Sequence, residues 1–183
     1  IKMILSRGRR VTMNIQMRRK IDQLASAIQK VYRIDIPIDD MEQVVKTLGG
    51  SIEVDSNVID GKIQKTRHSF KIILGNYDFN SPRNRFTIAH ELGHLFLHMG
   101  YKIDVDRWEH VDKDVYNRLG FSQEESQANE FAAAFLMPSK QFYAQVKKET
   151  EDSIINIPAL ARYFQVSQLA AINRAKFLEI VSW

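Results

Sequence analysis

The chain of 183 residues contains no cysteine. That excludes disulfides, thiolate metal ligands and a cysteine nucleophile, so any bound metal must be held by His, Asp or Glu. Proline and glycine are scarce, at 4 and 8 residues, and no stretch is repeated or of low complexity, so the composition carries no sign of disorder. Long apolar runs are missing as well. The opening stretch IKMILSRGRRVTMNIQMRRK holds only a few consecutive apolar residues. A signal peptide needs an apolar core of about 7–15 residues and a membrane span about 20. The expected location is therefore the cytoplasm, with no membrane contact.

What is present is an ordinary globular composition, 44% apolar and 26% charged, on a chain long enough to bury a core. This points to one domain, or one domain with a small appendage. The net charge is +4, and the basic residues gather early, at Lys2, Arg7, Arg9, Arg10, Arg18, Arg19 and Lys20. Such a cluster can touch nucleic acid, but a solvated basic arm is the simpler reading, with residues 1–16 as a flexible arm.

Periodicity predicts a helix over 17–32, with Ile21, Leu24, Ala25, Ile28 and Val31 as its buried stripe. A shorter helix follows, capped by Asp39 or Asp40, buried through Met41, Val44, Val45 and Leu48, and stopped at Gly49-Gly50. Three strand candidates, SIEVD, GKIQKT and SFKIILG, are separated by turn-sized segments and predict a small, largely antiparallel sheet. Ser81 with Pro82 marks the start of another helix, and Gly100 its end. The polar segment from Tyr101 to Phe121 is long for a loop and reads as a flap or as partly helical. Ser122 with Glu125 forms a capping-box pattern opening a helix that ends at Pro138. The segment after residue 153 reads as two short helices around a turn at Gln165 to Ser167.

The chemistry concentrates in RFTIAHELGHLFLH. His90, Glu91 and His94 form the H-E-x-x-H pattern. On a helix, residues i and i+4 lie one above the other, so two imidazoles can reach one zinc ion at about 2.0–2.1 Å. Glu91, next to the first ligand, can act as general base. Apolar neighbours on both sides suit a buried motif. Catalytic zinc sites use three protein ligands. His98 lies two turns beyond His90, about 12 Å along the axis, too far for a straight helix to converge all three, so His98 reads as a group behind the ligands. The acidic helix EESQANEF is the better source. Glu125 with Asn129 one turn on suits a carboxylate ligand backed by a polar side chain, and a capping-box glutamate on the surface is the alternative. Glu124 and Glu130 point elsewhere on that helix and read as exposed.

Together RFTIAHELGHLFLH and EESQANEFAAAFLMP resemble the ImmA/IrrE-like zinc metallopeptidases. The match runs through Arg85, Phe86, Thr87, Ala89, His90, Glu91 and His94, and resumes at Glu125, Ala128, Asn129, Phe131, Ala132, Leu136, Met137 and Pro138. The resemblance implies an α+β fold, a mostly helical zincin-like metallopeptidase domain with a small sheet. It implies zinc held by His90, His94 and Glu125, with Glu91 as catalytic base and Asn129 and His98 behind the ligands. It further implies a zinc-dependent endopeptidase whose substrate is a partner regulatory protein, a helix-turn-helix repressor. Cleavage would relieve repression in a mobile element, prophage, stress or toxin–antitoxin-like system. An edge strand could align an extended substrate, SFKIILG being the candidate. His68, Tyr77, His110 and Tyr143 are the candidates for stabilising an oxyanion. A contrasting reading is a DNA- or protein-binding regulator with a structural or inactive zinc site.

The resulting organisation is a metallopeptidase domain over 1–152 and a helix-turn-helix-like segment over 153–183 packed on it. A DNA-reading second helix would expose polar and basic residues; Gln168, Asn173, Arg174 and Lys176 are available, which makes DNA contact the weaker reading. A helical pair packed on the peptidase core is the stronger one, and partner recognition in place of DNA contact is the role left open to it.

Overall fold

A computed structural model describes residues 13–67, 69–78, 80–111 and 123–181. The first helix, α1 (Ile15–Tyr32), begins at Asn14, whose side chain accepts from the Gln16 amide. Ile21, Ala25 and Ile28 are buried as the periodicity requires, but Val31 is exposed, and Gln29 takes the interior position instead. The Gln29 amide can be buried there because its Nε2 donates to the Phe135 carbonyl at 2.6 Å. The second helix, α2 (Met41–Leu48), is N-capped by Asp40, which accepts from the Gln43 amide at 2.9 Å. Such a cap contributes about 1 kcal/mol.

Three strands follow: β1 (Ser51–Val54), β2 (Gly61–Lys65) and β3 (Phe70–Leu74). The sheet order is β1-β3-β2. β2 pairs antiparallel with β3, Ile63 opposite Ile72, but β1 pairs parallel with β3, Ile52 opposite Ile72. The sheet is therefore mixed rather than largely antiparallel. The cause is β3's central position: β2 fills one side of it, and β1 reaches the other side in the same direction as β3. Central placement also explains why Ile73 is buried along with Phe70, Ile72 and Leu74.

Helix α3 (Pro82–Gly93) starts at Ser81, whose hydroxyl accepts from the Asn84 amide. It continues into a π-helical turn, His94–His98. Within the polar segment, α4 (Val105–His110) is helical; Lys65 donates its ammonium to the carbonyls of Trp108 and Glu109 at that helix's end. Helix α5 (Gln123–Leu136) follows, and the expected cap at Ser122 lies outside the described residues. Then come α6 (Ser139–Lys148) and a short antiparallel ribbon, β4 (Thr150–Glu151) with β5 (Ile154–Ile155), that the sequence pattern did not announce. The chain closes with α7 (Ile157–Phe164) and α8 (Gln168–Phe177), joined through Gln165 in the left-handed conformation.

Helix α5 is the hub, packing against both α1 and α3. Phe131, Ala132, Ala134, Phe135 and Leu136 are fully or almost fully buried, so the C-terminal half of this helix is apolar nearly all round. Leu160 and Phe164 of α7 and Ala171 and Ala175 of α8 join the same core, with Phe164 stacked on Phe142 at 5.6 Å. No helix among the described residues is long and apolar enough to cross a membrane.

Candidate metal centre

His90, Glu91 and His94 sit in the second half of α3 and the start of the π turn, with 0%, 1% and 1% exposure. One helical turn brings the two His Nε2 atoms to 3.0 Å. Glu125 reaches across from the first turn of α5, with Oε2 3.3 Å from His90 Nε2 and Oε1 3.2 Å from His94 Nε2. Helix packing makes this convergence possible. At the crossing, Gly93 lies so close to α5 that a Cβ there would stand 2.9 Å from Ala128 Cα and 3.1 Å from its carbonyl oxygen. Only glycine admits that approach, and Ala128 is one turn beyond Glu125.

The donor set fits a small divalent cation. Ligands at about 2.0–2.1 Å in tetrahedral array lie roughly 3.3 Å apart, close to the separations found here. The outward nitrogens are also engaged. His90 Nδ1 is 2.9 Å from Asn129 Oδ1, an acceptor, so the proton belongs on Nδ1 and the inward Nε2 keeps its lone pair. His94 Nδ1 faces His98 Nδ1 at 3.0 Å, and His98 Nε2 faces Gln127 Oε1 at 3.0 Å. Burial holds the His98 pKa below its ordinary value, which favours the neutral ring. His90, His94 and Glu125 could thus hold a metal, each offering one ligand atom within 4.8 Å of the others.

Glu91 projects from the same helix toward the sheet. A Cβ on Gly61, the first residue of β2, would lie 3.5 Å from Glu91 Oε1 and 2.5 Å from Thr87 Cγ2. The bare backbone of β2 therefore passes directly over the carboxylate.

Other expected positions fall differently. SFKIILG forms the central strand β3, hydrogen-bonded on both sides, so it has no edge for a substrate; among the described residues β1 and β2 are the edge strands, and β2 is the one beside Glu91. Glu124 is exposed as expected, but Glu130 is buried, because the guanidinium of Arg174 reaches it at 3.2 Å. Arg174 is itself 1% exposed, bonding the Met137 carbonyl at 2.9 Å and the Asp22 carboxylate, so it presents nothing to a partner surface. Of the residues on α8 that might read DNA, Gln168 is exposed, and Asn173 and Lys176 are half-buried. Tyr143 donates to the Leu178 carbonyl, and exposed His110 pairs with Asp106. Tyr77 is half-buried, its hydroxyl pKa raised by burial and then by the charges of Glu42 and Asp40. The contacts of Tyr143 and His110 involve none of His90, His94 and Glu125, and His68 is outside the described residues. The sequence reading missed Gln127 and Gly61. Gln127 stands 29 positions from His98 and no local pattern links them. Gly61 had only its place after Asp60 in a turn-like stretch.

A helical HExxH element crossing a second helix that supplies a carboxylate, beside a short sheet, defines a zincin-like metallopeptidase fold. The chain belongs to the IrrE N-terminal-like domain family, peptidase M78, whose model matches residues 52–176. Among solved structures, a Mycobacterium tuberculosis transcriptional regulator shares the fold with a TM-score of 0.57 at 18% sequence identity. The alignment covers 88% of this chain and 51% of that one, so the chain spans about half the length of that structure. No curated protein matches the sequence.

Proposed function

We propose that the protein is a zinc-dependent endopeptidase that cuts a partner regulatory protein. The observation that carries this reading is the placement of Glu91. Three convergent ligands alone would serve a structural metal equally well. A carboxylate buried beside them, under the free edge of a strand, serves catalysis. His90, His94 and Glu125 would hold the ion, which when bound supplies Lewis acidity to the substrate carbonyl and to water. The chain's own groups do the rest. The edge of β2 pairs with an extended substrate backbone and delivers one peptide bond to Glu91. Glu91 accepts a proton from the attacking water as its oxygen bonds to the carbonyl carbon. When the C–N bond breaks, Glu91 returns that proton to the departing amine. Asn129 and His98 fix the ring orientations of the two histidines.

The substrate proposed is a helix-turn-helix repressor, so that cleavage relieves repression in a mobile element, prophage, stress or toxin–antitoxin-like system in the cytoplasm. Family membership supports this, and the name of the structural neighbour, a transcriptional regulator, fits the same setting. The second reading is a DNA- or protein-binding regulator with a structural or inactive metal site, for which Glu91 has no task.

The test incubates purified protein with the repressor encoded beside its gene. Cleavage should depend on zinc, stop in Glu91→Gln with metal content intact, and stop in His94→Ala with metal lost. Undiminished cleavage by Glu91→Gln would sink the mechanism. A fully zinc-loaded wild-type protein that leaves every neighbouring repressor intact would favour the regulator.

A further inference from the structure

We infer that Gln127 and His98 form a relay that sets the tautomer of His94, making Gln127 a positioning residue for the metal site. The inference rests on the proposed ligand role of His94. An imidazole ligates through a nitrogen that carries no proton, and in a neutral ring the proton then sits on the other nitrogen. For His90 the choice is made by Asn129 Oδ1, at 2.9 Å. For His94 the neighbour at Nδ1 is a second imidazole, 3.0 Å away, which can donate or accept. On its Nδ1 side His94 is thus left undetermined until something fixes His98.

Gln127 does so. Its Oε1 lies 3.0 Å from His98 Nε2, and an amide oxygen only accepts. His98 therefore carries its proton on Nε2 and turns the lone pair of Nδ1 toward His94. His94 donates from Nδ1, and its Nε2 faces His90 Nε2 and Glu125 Oε1 with the lone pair that a cation needs. The opposite arrangement, an N–H group aimed at His98 Nε2, would reverse every step and place a proton between His94 and the metal. The π turn His94–His98 belongs to the same device, because it stacks the two Nδ1 atoms at hydrogen-bond distance while His98 reaches α5. Gln127 and Glu125 lie on the same helix, so a single element supplies one ligand and orients another.

The experiment titrates zinc into the full chain against a competing chelator, and reads the imidazole tautomers of the metal-free protein by long-range ¹⁵N–¹H correlation. Gln127→Leu and His98→Phe should each weaken zinc by roughly 10–100-fold, the usual effect of losing a group behind a ligand. In Gln127→Leu the His98 signal should move from Nε2-protonated toward a mixture. Gln127→Glu, which has the same shape and can only accept, should stay within about threefold of the parent and keep His98 protonated on Nε2. Parental affinity and tautomer in Gln127→Leu would overturn the relay while leaving the metal site standing. So would an equal loss in Gln127→Glu. If His94→Ala binds zinc as the parent does, the ligand role fails and takes the relay with it.

Discussion

Arg174 offers the sharpest test of how the domain is held together. Its guanidinium is 1% exposed and donates to the Met137 carbonyl, Glu130 and Asp22, tying α8 to α5 and α1. Arg174→Met keeps the apolar stem and removes the charge. Glu130, 6% exposed, is then left as a buried carboxylate without its principal cation. Removing one partner of a buried pair costs about 3–5 kcal/mol. For a domain of this size that corresponds to a fall in Tm of roughly 6–20 °C. The loss should depend on pH. Burial already raises the Glu130 pKa, and Arg174, then Arg18, oppose that rise. Without Arg174 the folded-state pKa climbs further above its unfolded value. The folded state then binds more protons than the unfolded one, so stability falls as pH rises through the window between the two values. The deficit of Arg174→Met should thus be largest near neutral pH and shrink on acidification. Urea unfolding at pH 7 and at mildly acid pH measures both quantities. Adding Glu130→Gln to the variant should recover about 1 kcal/mol or more, since an amide is cheaper to bury than a charge. A deficit below about 1 kcal/mol at pH 7, or one equal at both pH values, would refute the reasoning.

Gly93→Ala should lower stability by about 1–3 kcal/mol despite alanine's better helix propensity, because its methyl meets the backbone of Ala128; the same shift of α5 should weaken zinc in a chelator titration. Gly61→Ala should retain zinc but slow cleavage of the neighbouring repressor, since the added methyl forces β2 off Thr87 and displaces the strand edge above Glu91. Zinc at about 100 times its Kd should raise stability by about 2.7 kcal/mol, seen as a higher melting temperature that excess chelator reverses. Equal melting curves with and without zinc would contradict binding to the folded state.

What the sequence discloses and what it hides follow from the range of the interactions. Asp40 and Ser81 are legible because a cap acts within three residues of its target. His90, Glu91 and His94 are legible because helical spacing alone brings them together, and Glu125 because it shares a helix start with a recognisable motif. Direction within a sheet is different. Alternation at Ile52 and Val54 predicts a strand but carries no information on whether β1 runs with β3 or against it. Glu130 looked exposed because nothing near it is basic; its partner Arg174 stands 44 residues away. The same distance concealed Arg174, which read as a surface residue until its three acceptors were in place. Gln29, buried by a carbonyl on another helix, displaced Val31 from the interior by the same long-range logic.

The two kinds of helix position in the candidate metal group would also set how it exchanges an ion. His90 and His94 lie inside a continuous helix packed on the core, whereas Glu125 is the third residue of α5. Helix first turns lack part of their backbone hydrogen bonding and open at far lower free energy than a helix interior. An ion held by this group would therefore leave by the unwinding of one turn while the histidines and the core stay folded. The residence time of a bound ion would then be a local property, set by how firmly the first turn of α5 is held, and decoupled from the lifetime of the folded domain.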